Sequence, residues 1–526
     1  MRTFLFNIIK MKKLKLVSLA IAMACATPSL AGGLLTNTNQ HVAFNRMMSR
    51  EASIGIDGVY YNPAGVVFMG EGKHLAINWQ LAYQTRSIEN DYPLFTNNVN
   101  NPTTPREFKG KAFAPVIPSF QYAYNKGRWS LQAGFALTGG GGKCTFDDGL
   151  GSFEKIVAET ALAACQLAGA VDQVAAQYRV PAVFTNNDKF GKEGKYSYNS
   201  YMHGRQYYYG LSLGAAYKFS DNFSAFAGVR GVYASTNYYG YVENIKVGAM
   251  PLYMVLDPTK ETAANIELSC DQSGVGFTPI IGVDFKTGKW NFAAKYEFKT
   301  RIRLKNKSVN QVPSIGNLPD NLRNAYIAGG VPEQAADAII GNPVIQGAMR
   351  QLKTQFDAKL EKAIGEYEDG KKIAGDIPAY LALGVGYSPV NAVRVNVGFH
   401  WFDDKHATSY NNRQEKLDRG TLEYNAGVEV DVNKKITLST GWQNTNYGLS
   451  DEYMDDKSFV VSSNSAAIGG VYHINKKMDL NVAYFHTFYQ HKKTSKVQLS
   501  AENSINYNSD YTRNNNVFAV GLDINF

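Results

Sequence analysis

Three cations sit singly among apolar neighbours: Arg230, Lys295 and Arg394. A positive charge in such surroundings can fix the carboxylate of an otherwise apolar molecule, or it can pair with an acid of the same chain such as Asp57 or Glu297. The nearest approach to a catalytic cluster is His400 with Asp403 and Asp404. No serine or second acid is spaced to complete a nucleophilic arrangement around it. Cys144, Cys165 and Cys270 follow the signal region, but nothing at useful spacing would join them in a metal site, and no cofactor is implied. Cys144 and Cys165 belong to one long connection, so they are the pair expected to bridge in an oxidising compartment, leaving Cys270 free.

Before these residues runs a segment that does not belong to the fold. Met11-Lys12-Lys13-Leu14-Lys15 is a basic start, 16–26 is apolar, and Ser29-Leu30-Ala31 supplies the small residues of a cleavage site. Residues 1–31 therefore read as a signal peptide, with Met11 a sufficient start of its own. The lipoprotein alternative around Cys25 has Ala22 where Leu is usual. Without this segment the chain loses five basic residues and no acid, so 49 basic against 45 acidic residues leave a net charge of +4 rather than +9. The high pI is thus a property of the targeting segment, and a nucleic-acid partner loses its electrostatic support.

The full chain carries 33 Tyr, 28 Phe and 48 Gly, yet its mean hydropathy is negative. It has no run of 18 apolar residues after residue 31, which excludes transmembrane helices. The strands show how such a chain can still meet a membrane. Val393, Val395, Val397, Phe399 and Trp401 alternate with Arg394, Asn396, Gly398 and His400. Phe518, Val520, Leu522, Ile524 and Phe526 alternate in the same way with Ala519, Gly521, Asp523 and Asn525. Period two over the whole chain behind a signal peptide predicts a β-barrel that is apolar on its outer face.

Turn chemistry counts the strands. Short polar connections occur near 125–128, 220–222, 286–289, 388–391, 433–435 and 475–477. Longer ones lie near 90–112, 140–198, 243–261, 305–377, 408–420, 448–457 and 492–505, in strict alternation with the short ones. Six short turns and seven long loops join fourteen antiparallel strands, beginning near His74. Helical periodicity marks two long loops, near 150–180 and 318–367, with Phe153, Val157, Ala161 and Ala164 on one stripe and Ile345, Met349, Leu352 and Phe356 on another.

Two further stretches are singular. Asn62-Pro63-Ala64-Gly65 is a tight turn between Val59-Tyr60-Tyr61 and Val66-Val67-Phe68, with Pro63 fixing one angle and Gly65 relaxing another. Gly139-Gly140-Gly141-Gly142 ends the third strand, where four glycines hold a ladder poorly and suit a bulge, a gap or a flexible lead into the loop.

The run Glu51 to Gly65, with Asn62-Pro63-Ala64 near its end, followed by fourteen strands, helical outer loops and a terminal Phe526, resembles the FadL-type transporters of long-chain fatty acids and other hydrophobic compounds. The resemblance implies an outer-membrane location, a hatch over residues 32–71 folded inside a barrel over 72–526, and an opening in the wall at the third strand, here Gly139 to Gly142. It also implies passive uptake of a hydrophobic small molecule, a fatty acid or an aromatic hydrocarbon, by a monomer inserted by the barrel-assembly machinery among outer-membrane lipids. Arg50 before Glu51 departs from the family's frequent Gly, and the first helical loop is longer than the pattern. A barrel lipase or a surface adhesin is the alternative, and an adhesin has no need of such a hatch.

Overall fold

A computed structural model describes residues 35–36, 39–182, 194–498 and 505–526; the expected signal peptide lies outside the described residues. Fourteen strands form one closed antiparallel sheet. The first five are β1 Gly72–Asp91, β2 Arg106–Lys126, β3 Trp129–Phe146, β4 Tyr196–Lys218 and β5 Phe223–Val247. Next come β6 Ile266–Thr287, β7 in two pieces (Trp290–Glu297 and Arg303–Gln311), β8 (Lys372–Ala374 and Tyr380–Val390) and β9 Val393–Phe402. The last are β10 Arg419–Asn433, β11 Ile436–Gly448, β12 Ser463–Asn475, β13 (Met478–Tyr489 and Lys492–Gln498) and β14 Ile505–Asn525. Closure is made by β1 against β14, from His74 opposite Asn525 to Asp91 opposite Asn508. All six tight turns fall where the sequence places them.

The wall is inside-out relative to a water-soluble sheet. On β1, His74, Asn78 and Gln80 are buried while Ile77 and Trp79 are exposed. Outward-facing Leu213 is 53 % exposed and Phe277 69 % exposed, and every strand repeats the arrangement. A continuous apolar exterior of this extent is stable against hydrocarbon and not against water.

One end of the barrel carries a helical cap. Helix α1 (Val42–Met47) belongs to the lumenal segment described below, whereas α2 (Gly151–Gln177), α3 (Leu318–Ala328), α4 (Glu333–Ile340) and α5 (Pro343–Ile364) belong to the long loops. Phe153, Val157 and Val171 of α2 share one buried cluster with Leu322, Ile339 and Ile345. The two helical loops thus bury their stripes against each other. With β4 and β5 running 23 and 25 residues, well beyond the roughly 9–11 that cross a bilayer, the cap stands clear of the lipid belt.

Leu213 lies four residues from the Tyr217 end of β4, near mid-height of the apolar belt. Leu213→Arg is expected to destabilise the folded barrel in liposomes by about 2–4 kcal/mol, read from denaturant titration. An unchanged midpoint would show that this face does not meet hydrocarbon.

Candidate functional site

Residues 39–69 occupy the barrel interior and are held there by charge. Arg46 donates to Glu429 of β10 through Nη1, to Ser439 Oγ at 2.9 Å and to Asn481 Oδ1 at 3.2 Å. Arg50, four residues on and past the end of the helix, donates to the other oxygen of the same Glu429 at 3.2 Å and clamps Asp57 at 2.7 and 3.0 Å. Glu51 accepts from His400 of β9, with Oε1 2.7 Å from Nε2, while Nδ1 of the same ring lies 2.9 Å from Glu423. The wall has made room: a Cβ on Gly427 or Gly441 would run into the Met47 carbonyl.

The tight turn is docked on three strands. Asn62 Nδ2 donates to Asp284 of β6 at 2.6 Å, the Pro63 carbonyl accepts from Gln132 of β3 at 2.7 Å, and the Ala64 carbonyl accepts from Ser224 of β5 at 2.7 Å. Gly65 differs from the expectation. It opens a short 3-10 turn over Gly65–Phe68 with ordinary backbone, and it is glycine because the Asn62 side chain lies where a Cβ would be.

The three cations chosen from sequence are inward-facing and already paired. Arg230 makes a two-pronged contact with Glu297 at 2.6 and 3.0 Å. Lys295 donates to Glu297 at 2.9 Å and to the Tyr60 carbonyl at 2.6 Å. Arg394 holds Asp431 at 2.6 and 2.8 Å. The alternative open at the sequence level, pairing within the lumen, is the arrangement found. The cysteine bridge is not formed. Cys144, Cys165 and Cys270 are buried and not in a disulfide: Cys144 lines the chamber wall on β3, whereas Cys165 is packed into the helical cap on α2. His400 does not assemble with Asp403 and Asp404, because both its ring nitrogens are taken by Glu51 and Glu423, while Asp404 accepts from Thr421 and Asp403 from His406.

Between β2 and β3 the ladder breaks. Pairing runs from Lys126–Trp129 to Ser119–Ala136, stops, and resumes at Ala112–Cys144. The unpaired lips are 113–118 of β2 and 137–143 of β3, so Gly139, Gly140, Gly141 and Gly142 lie on one lip. Gly140 and Gly142 have φ of 86° and 90°, a region costly for residues with a Cβ. The other lip carries Pro115 and Pro118, which have no N–H to leave unpaired. Gln40 of the lumenal segment joins both lips at the lower end: its carbonyl accepts from Ser119 and Gln121, and its amide donates to the Leu137 carbonyl at 2.7 Å.

Above the lumenal segment lies a cavity of about 220 Å³ that reaches this breach; Ile117, Gly140 and Gly142 are among its lining residues. Arg86 and Arg513 face into it from β1 and β14, where they are direct cross-strand partners. They share the Gln84 side chain at 3.1 and 2.7 Å, and neither has a carboxylate partner among the described residues. Two like charges opposite one another destabilise a sheet, so this pair is a candidate for holding an anion.

Solved structures place this architecture. A Pseudomonas aeruginosa FadL homologue matches with a TM-score of 0.58 at 14% identity, over 94% of this chain and 100% of that one. A deltaS2S3 mutant of TodX, a monoaromatic hydrocarbon channel, matches with 0.52 at 12%, over 92% and 98%. The deltaS2 mutant of that channel gives 0.51 at 14%, over 93% and 100%. The fold is FadL-type. No family model matches the chain, and neither does any curated protein.

In this FadL-type barrel the residues that sequence reasoning missed are those whose partners lie far along the chain: Arg46, Glu429, Pro115, Pro118, and the pair Arg86 and Arg513. A usable signal existed for Arg46, a basic residue four positions before Arg50 in the segment that precedes the first strand.

Burial alone would raise the titration of Asp57 and Glu51, but Arg50 and His400 respectively override it and hold both carboxyls below their usual range. Their stabilisation of the lumenal segment is present above the ordinary carboxylate range and is lost only as pH falls through the depressed values. Small-ion conductance in planar bilayers is therefore expected to stay flat from about pH 8 to about pH 5 and to rise only below about pH 4. A rise beginning near neutrality would contradict this. Glu429→Gln, which leaves two buried guanidiniums short of their shared carboxylate, is expected to weaken docking by about 3–5 kcal/mol and to raise conductance at pH 7 with the barrel still folded.

Proposed function

We propose that this protein is a monomeric outer-membrane channel for the passive uptake of hydrophobic molecules carrying an anionic head, of which long-chain fatty acids are the best fit. The observation that carries the reading is the chamber itself. It combines two arginines free of carboxylates, Arg86 and Arg513, with apolar lining from Ala82, Ile117, Phe485 and Val517, and it is continuous with the breach between β2 and β3. A hydrocarbon would need no such charge. The barrel-assembly machinery would insert the barrel and outer-membrane lipid would surround it, in keeping with the apolar exterior.

The ligand is captured beneath the helical cap with its head on the arginine pair. Residues 39–69, with Asn62, Pro63, Ala64 and Gly65 at their lower anchor, act as the hatch that keeps the lumen from conducting water and ions. The tail faces the glycine lip, and release is lateral, into lipid, so the molecule never crosses a water-filled pore. Gln40 couples the hatch to the breach, since moving it frees Ser119 and Leu137 together. Arg230, Lys295 and Arg394 hold the hatch and wall in place; they would receive a carboxylate only after giving up Glu297 or Asp431. Uptake of an uncharged aromatic molecule by the same route is the second reading, since TodX, which shares the fold, is a monoaromatic hydrocarbon channel.

Replacing Arg86 and Arg513 by Gln removes charge-assisted hydrogen bonds that contribute about 1.5–3 kcal/mol each. Affinity for a long-chain carboxylate is expected to fall by at least about 100-fold, while uptake of toluene stays the same. Equal affinity in the double variant would remove the carboxylate reading and leave the aromatic one. The lateral route is tested by a staple. A Cβ on Gly142 would lie 3.4 Å from that of Ala114 on the other lip, close to the separation of a disulfide. In a background with Cys144→Ser, oxidised Ala114→Cys/Gly142→Cys is expected to lose uptake and to regain it on reduction. Uptake indifferent to the staple would rule out release at this place.

A further inference from the structure

The outer face of the wall beside the breach carries cations that the uptake path does not use. Lys143 of β3 is the direct partner of Arg205 on β4, and Lys111 of β2 is the partner of Thr145, two residues along β3 from Lys143. Cys144, between Lys143 and Thr145, faces the chamber, so these side chains point outward. Neighbouring strands lie about 4.8 Å apart, which brings the three cations within reach of one small anionic group. Lys111 and Lys143 are exposed, Arg205 lies over the Tyr207 ring at 5.8 Å, and none of the three has an ion pair among the described residues. Along the row from Arg205 the first acid is Asp271, two strands away and bonded to Asn237.

Their height on the barrel is set by what brackets them. Toward the membrane, Phe113 and Val116 of β2 are 55 % and 59 % exposed and begin the apolar belt. Outward tyrosines lie on both sides: Tyr209 stacked with Tyr233 at 6.4 Å toward the belt, and Tyr201 stacked with Tyr241 at 5.7 Å beyond the cations. Such aromatic girdles mark the membrane–water interface. The cations therefore stand at headgroup level, directly over hydrocarbon, on the outer lip of the breach where β2–β3 pairing resumes.

We propose that this face binds a phosphorylated lipid of the outer leaflet, its phosphate held by Lys111, Lys143 and Arg205 and its acyl chains laid along Phe113 and Val116. A protein partner would have no use for the contiguous lipid-facing floor, and a free anion would leave that floor unexplained. The bound lipid would lie across the opening through which the ligand leaves, so release delivers the ligand into a defined lipid contact. The proposal rests on the membrane placement argued above.

The test is native mass spectrometry of the detergent-solubilised full chain mixed with a diphosphorylated acyl-glucosamine lipid (lipid A) or with its dephosphorylated form. Wild type is expected to retain the phosphorylated lipid at least about five-fold better than the dephosphorylated one, and millimolar inorganic phosphate should not strip it. Lys111→Gln/Lys143→Gln/Arg205→Gln is expected to lose that preference, while Lys305→Gln/Lys307→Gln on β7 keeps it. Preference unchanged in the triple variant, equal retention of both lipids, or displacement by inorganic phosphate would each overturn the proposal. Ligand uptake into vesicles is scored separately. Lost uptake with intact lipid preference falls on the transport reading, and lost preference with intact uptake falls on this one.

Discussion

Within hydrocarbon a backbone amide or carbonyl has no partner but another part of the protein, and each one left unpaired costs several kcal/mol. That requirement closes β1 onto β14 and makes the break between β2 and β3 the feature that everything near it must offset. Two of the six residues on the β2 lip are prolines, which bring no amide to satisfy. The Pro115 carbonyl accepts from the Trp79 indole at 3.0 Å, the Leu137 carbonyl accepts from Gln40, and the Tyr208 carbonyl accepts from Thr138 at 3.2 Å. The opening is a built part of the wall: proline removes two of its amides, and side chains meet the Pro115 and Leu137 carbonyls.

The same economy of polar groups governs the interior. Inward positions are polar because the outward ones must be apolar, and a lumen lined with polar groups can hold a charged plug. Glu429 serves two arginines of the N-terminal segment at once, and Glu297 serves Arg230 and Lys295. Buried ion pairs of this kind add little net stability over an apolar packing. They do make the docked position specific, since removing any one partner leaves a charge stranded.

The chamber differs from the rest of the lumen in having cations without acids. Arg86 and Arg513 oppose each other directly on the closing pair of strands, an arrangement that folding alone would avoid. The same asymmetry recurs outside, where Lys111, Lys143 and Arg205 have no acid beside them. One set faces the chamber from the closing strands, and the other lies on the outer face of the wall beside the breach.

The period-two pattern, the alternation of short and long connections and the Asn62 turn were legible in the chain because each is local: the residues that state them lie within a few positions of one another. Strand number, barrel topology, the helical loops and the glycine lip follow from such signals. Partnership does not. Arg46 finds Glu429 at a separation of 383 residues, and Arg86 finds Arg513 only because the sheet closes, so no local reading distinguishes a paired cation from a free one. That is why Arg230, Lys295 and Arg394, selected for their apolar neighbours, proved to be ion-paired, while two arginines unremarked in the sequence face the chamber. Register across strands distant in sequence decides which charges meet, and that register exists only once the sheet has closed into a barrel.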